Sequence, residues 1–118
     1  MPVDGSILIV DEDPAMLQML SCFLEDEGVA CEVASGVAEA LRLLDARAFS
    51  AAVSELHMRP LDGFALLDAI AVELRVIVMS SFAAPSVERE AISRGAAAFL
   101  RKPFAPSELL RLLEGLPG

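Results

Sequence analysis

The chain of 118 residues has no tryptophan, no tyrosine, one lysine, one histidine and two cysteines. Each shortage removes a class of function. Six phenylalanines are the only aromatics and the net charge is −9. Such a chain lacks the basic, stacking surface that nucleic acid requires, so no nucleic-acid binding is expected of this domain itself. A single histidine weighs against a Ser-His-Asp hydrolase. There is no Gly-rich phosphate loop and no CxxC pair. Cys22 and Cys31 fall in apolar positions without metal-ligand spacing, and both are expected to be reduced core residues. No apolar stretch approaches the ~18 residues of a membrane span. The start, "MPVDGS", carries no base and no secretory pattern, so a cytoplasmic protein without membrane contact is expected.

What is present is an asymmetric, globular composition. Hydrophobic residues make up 55% and charged residues 23%, which fits one domain, residues 1–118, around one core. Residues 1–41 hold nine acids and no Lys or Arg, whereas residues 42–118 hold nine of each sign. Eight of the nine bases are arginine; the exception is Lys102.

Short apolar runs alternate with amphipathic stretches. "SILIV" (6–10), "ACEVA" (30–34), "SAAVS" (50–54), "RVIVM" (75–79) and "AAFLR" (97–101) predict strands. Helical spacing predicts helices over 14–28, 37–47, 64–72, 85–95 and 106–115. In the first, Leu17, Leu20 and Leu24 share a face, Asp13 is the expected N-cap before Pro14, and Gly28 the stop. In the second, Ala40, Leu41 and Leu44 form the expected core face. Five strands alternating with five helices imply a doubly wound α/β fold with a parallel sheet. Its functional crevice lies beyond the carboxyl ends of the strands.

Chemistry-bearing residues collect at those ends. The first strand runs into Asp11, Glu12 and Asp13, and the third into Glu55. The fourth ends in Ser80, and the fifth runs into Lys102 and Pro103. Clustered carboxylates suit a hard divalent cation such as Mg²⁺, and a neighbouring ammonium offsets their repulsion. Each piece has a plainer explanation. "DED" before a helix complements the helix dipole, a Glu after a strand is often a solvated turn residue, and Lys-Pro pairs are common. A Mg²⁺-dependent phosphatase with an aspartyl nucleophile shares the alternating pattern, but such enzymes usually need a cap and a longer chain.

The segments "ILIVDEDPAMLQML", "MRPLDGFALL" and "VIVMSS…GAAAFLRKPF" resemble the receiver domain of bacterial two-component response regulators, from about Ile7 to Leu113. The resemblance implies a flavodoxin-like sheet of order 2-1-3-4-5; that order comes with the family and not from periodicity. It implies Mg²⁺ held by Asp11, Glu12, Glu55 and the backbone carbonyl of His57. It places Glu55 at the phosphoacceptor position, Ser80 and Lys102 beside the phosphoryl group, and Ser80 with Phe99 as a switch. A cis bond before Pro103 is implied as well. The partner surface would span residues 85–114, with Arg89, Arg94, Arg101 and Arg111. The partner would be a protein with an acidic or mixed patch, such as a histidine kinase or an output domain. The final "EGLPG" suits either a terminus or the edge of a linker.

Two departures stand out. The family has aspartate where Glu55 stands. In-line phosphoryl transfer tolerates little displacement, since ~1 Å can lower a rate about a hundredfold. The extra methylene exceeds that, so phosphorylation is expected to be absent or very slow. Glu55 would instead pair with Lys102. It then either reaches towards Ser80 and mimics the activated arrangement, or ties Lys102 down in an inactive-like one. The conventional alternative is a Mg²⁺-dependent phosphoacceptor. Second, the family has Met-Pro where this chain has Met58, Arg59 and then Pro60. That shift is expected to reshape the loop carrying His57.

Overall fold

The computed structural model describes residues 5–81 and 84–116. The elements run β1 (Ile7–Val10), α1 (Pro14–Asp26), β2 (Cys31–Ala34), α2 (Val37–Ala46), β3 (Ala51–Glu55), α3 (Gly63–Ile70), β4 (Arg75–Ser80), α4 (Pro85–Ser93), β5 (Ala98–Arg101) and α5 (Pro106–Gly115). All neighbouring strands pair in parallel, in the order β2-β1-β3-β4-β5. The doubly wound α/β fold is the one that the alternation of elements predicts, and the strand order is the one that the resemblance implies. Among the described residues no helix is long and apolar enough to cross a membrane.

Side chains alternate across each strand, and the core divides accordingly. Leu8, Val10, Ala52, Val76 and Val78 face one side, where α2, α3 and α4 supply Ala40, Leu66, Leu67 and Ala91. Ile7, Ile9, Ala51, Val53, Ile77 and Met79 face the other, where α1 and α5 supply Leu17, Leu20, Leu24, Leu109 and Leu113. The central strands are therefore buried on both faces, as a parallel sheet between two helical layers requires.

The helix ends follow local chemistry. Asp13 caps α1 by accepting the Ala15 N–H at 3.0 Å, with Pro14 opening the helix. Gly28 follows the helix at φ +83°, where a side chain would be strained. Asp62 caps α3 by accepting the Ala65 N–H at 3.1 Å. Two expectations are corrected. Leu41 is exposed, and α2 instead buries Val37 and Ala40, with Leu43 and Leu44 packed beside them. Cys22 is also exposed rather than in the core. Cys31 is half-buried, and burial first, then the Glu25 charge, pushes its thiol up to about 11. Both cysteines are free.

One glycine governs how β3 hands over to α3. The Gly63 N–H donates to the Leu56 carbonyl at 2.8 Å. A Cβ on Gly63 would overlap the Glu55 carbonyl oxygen and sit 2.8 Å from the Leu56 Cα. The start of α3 thus lies directly on the backbone that carries Glu55. Gly63→Ala is expected to force that backbone apart and cost about 1–3 kcal/mol, as overpacking does. Gly115→Ala, with open space around it, should change little. Urea unfolding of the two variants is the check.

Candidate functional site

Alternation along the strands decides which end residues can meet. Asp11 continues the row of Ile7 and Ile9, Glu55 that of Ala51 and Val53, and Lys102 that of Ala98 and Leu100. Those rows all face α1 and α5. Ser80 continues Val76 and Val78 on the opposite face, where Phe99 also packs. The residues proposed from the sequence therefore fall into two sets on two sides of the sheet edge.

The first set forms a bridged triad. Lys102 Nζ donates to Glu55 Oε1 at 2.5 Å and to Asp11 Oδ2 at 2.8 Å. Asp11 is 3% exposed, Glu55 7%, and the Lys102 side chain 13%. The remaining carboxylate oxygens are occupied too. Glu55 Oε2 accepts the His57 backbone N–H at 2.9 Å, and Asp11 Oδ1 accepts the Asp13 N–H at 2.9 Å. Burial opposes the charge on Lys102. The hydrogen bonds and negative charges of Asp11 and Glu55 outweigh it, so the ammonium titrates above its ordinary value of 10.5.

The second acid of the pair after β1 goes elsewhere. Glu12 is exposed, and its Oε2 accepts the Arg59 backbone N–H at 3.0 Å. The shift of proline from 59 to 60 leaves an N–H at position 59, but nothing in the sequence says which acid accepts it. Among the described residues no three His, Cys, Asp or Glu stand where they could share a metal ion. The carboxylates of Asp11, Glu12 and Glu55 are thus not gathered into a divalent site, and as arranged they do not fit Mg²⁺. His57 itself is exposed, while Met58 beside it is buried. The Lys102–Pro103 bond is cis, as is Arg59–Pro60.

Ser80 is fully buried. Phe99 is half-buried and packs on the core layer that also carries Phe64 and Val87. The four arginines predicted for a partner surface divide. Arg94 lies 4.5 Å over the Phe64 ring and pairs with Asp68 at 3.0 Å and Glu90 at 3.4 Å. Arg101 pairs with Glu88 at 2.9 Å. Arg89 and Arg111 are exposed and make no ion pair among the described residues.

Lys102→Met leaves two buried acids facing each other. It is expected to lose roughly 3 kcal/mol, as when one partner of a buried pair is removed, and about 10 °C in Tm. Adding Glu55→Gln should recover part of that. Because the lysine's pKa is raised by folding, its contribution is complete below the unfolded value near 10.5 and is lost as pH climbs through the higher folded value. The stability gap between wild type and Lys102→Met is therefore expected to stay flat across neutral pH and to shrink in strong alkali. Unfolding curves over a pH series measure it.

The family model for the response regulator receiver domain matches residues 7–114. A two-component response regulator of rice (Oryza sativa subsp. indica) is 34% identical over 92% of this chain, which spans 16% of that protein. The Francisella response regulator 1452 receiver domain superposes with a TM-score of 0.89 at 26% identity, over 94% of each chain. A response regulator from Burkholderia pseudomallei, solved with a phosphorylated aspartic acid, a calcium ion and citrate, gives 0.87 at 26% identity, over 95% of this chain and 68% of that one. Matched along nearly its whole length in both sequence and strand order, the chain belongs to the response regulator receiver family of two-component signalling.

Proposed function

We propose that this receiver signals through protein–protein contacts without depending on phosphorylation, its pocket being set by Glu55. The observation that carries the reading is the 2.5 Å contact between Glu55 Oε1 and Lys102 Nζ, with the other oxygen taken by the His57 N–H. Both oxygens of the residue at the acceptor position are engaged within the fold. The longer side chain also carries its carboxylate past the place where an aspartate would meet phosphorus, and the in-line geometry of phosphoryl transfer does not tolerate that displacement.

The same contact supplies a structural role. A lysine that would otherwise await a phosphoryl group already has its negative partners. The conformation is then fixed by sequence and not by a phosphodonor. The partner is a protein, a histidine kinase or an output domain, meeting the face of α4, β5 and α5. Arg89 and Arg111 are the cations available to it, which suits an acidic or mixed patch. In this reading the domain is a binding module and not an enzyme.

Incubation with acetyl phosphate and a divalent cation, followed by intact mass measurement, tests the proposal. Wild type is expected to show no added phosphoryl group, and Glu55→Asp combined with Arg59→Pro, which also deletes the N–H that holds Glu12, to gain one. A stoichiometric phosphoryl adduct on wild type would overturn the reading in favour of a conventional Mg²⁺-dependent phosphoacceptor.

A further inference from the structure

The divalent ion that the family's chemistry implies at this edge is not matched by the residues present. The reason is traceable to one backbone group. Glu12 Oε2 lies 3.0 Å from the Arg59 nitrogen and accepts its hydrogen. A proline at position 59 would have no hydrogen to give. The chain places its proline one residue later, at Pro60, and so position 59 becomes a donor. That donor spans 47 positions of sequence to reach the acid next to Asp11.

We infer that Arg59 is a positioning residue whose backbone N–H holds Glu12 away from the pocket, so that the Lys102 ammonium takes the place of a divalent cation there. The inference deepens the proposed function and rests on its view of Glu55 as the standing partner of Lys102. With Glu12 drawn off, two carboxylates remain around the ammonium. All four of their oxygens are already bonded to Lys102, the Asp13 N–H or the His57 N–H. A magnesium ion demands about six oxygens in near-octahedral order. To enter, it would have to displace the ammonium from both acids, with Glu12 no longer there to add a third negative charge. The arrangement is closed from inside: charge is balanced by a residue of the chain, and the spare acid is spent on a loop.

Binding of Mn²⁺, followed by the electron paramagnetic resonance signal of the free ion, tests the inference directly. Wild type is expected to show no saturable binding at millimolar metal. Arg59→Pro, which deletes the donor, is expected to bind at least about tenfold more tightly, the scale of one hydrogen bond to a charged group. Arg59→Ala keeps the N–H and removes only the guanidinium, so it should stay like wild type. If Arg59→Pro does not fold by circular dichroism, Glu12→Asp serves instead, because its shorter side chain cannot span to Arg59; the same gain is expected. Saturable binding by wild type overturns the inference. So does an equal gain in Arg59→Ala, which would assign the effect to side-chain repulsion. An unchanged affinity in the folded donor-deleted or shortened-acid variant overturns it as well. A wild type that rejects Mn²⁺ yet accepts a phosphoryl group would defeat the proposed function and leave this inference standing.

Discussion

The ammonium of Lys102 is shared by two buried carboxylates, and the arrangement at the sheet edge follows from it. The three groups come from the ends of β1, β3 and β5, separated by 91 and 47 positions in sequence. Their meeting depends on strand parity: a slip of one residue in any of the three strands would turn its end residue to the other face. The triad is not a strong source of stability, because removing charges from water costs most of what their attraction returns. Its value lies in specificity. Only one register of the sheet satisfies all three groups, and in that register every carboxylate oxygen of Asp11 and Glu55 has a donor.

A second set of contacts holds α4, the helix that borders the proposed partner surface. Arg94 reaches back to α3, stacking on Phe64 and pairing with Asp68, while Arg101 on β5 pairs with Glu88. Exposed ion pairs contribute little singly, but a guanidinium laid on an aromatic ring adds packing and a quadrupole attraction. α4 is thereby tied to α3 and to the strand after it. Two of the four arginines that looked like a basic patch in the sequence are internal fastenings. The surface left for a partner is less positive than the residue count suggests, with Arg89 on α4 and Arg111 on α5 as the cations there without an ion pair among the described residues.

Much of this was legible in the sequence, for reasons that separate cleanly from what was not. Strand and helix positions follow from periods of two and 3.6, and the caps at Asp13 and Pro14 from local hydrogen-bond needs. The convergence of Asp11, Glu55 and Lys102 follows from parallel strands sharing one edge. The exposure of Leu41 was not legible. It neighbours Ala40 on a short helix, and apolar character alone does not say which flank of the stripe meets the sheet. Cys22 misled in the same way. The turn of Glu12 towards Arg59 was only half legible: a residue other than proline at 59 keeps its N–H, but nothing in the sequence said which acid would accept it.

The two departures from the family pattern act on one pocket from opposite sides. Glutamate at position 55 lengthens an acid until it meets the lysine. Moving proline from 59 to 60 creates a donor that takes a second acid out. Either change alone would leave an unbalanced site. A longer Glu55 with Glu12 still inward would place three carboxylates against one ammonium. A withdrawn Glu12 beside a short aspartate would leave Lys102 with a weaker grip on β3. Together they give two acids, one base and no oxygen without a donor. The close approach of Gly63 to the Glu55 and Leu56 backbone fixes the strand end on which this balance is built. Under the proposed function, the pocket is completed by its own side chains instead of by an ion and a phosphoryl group.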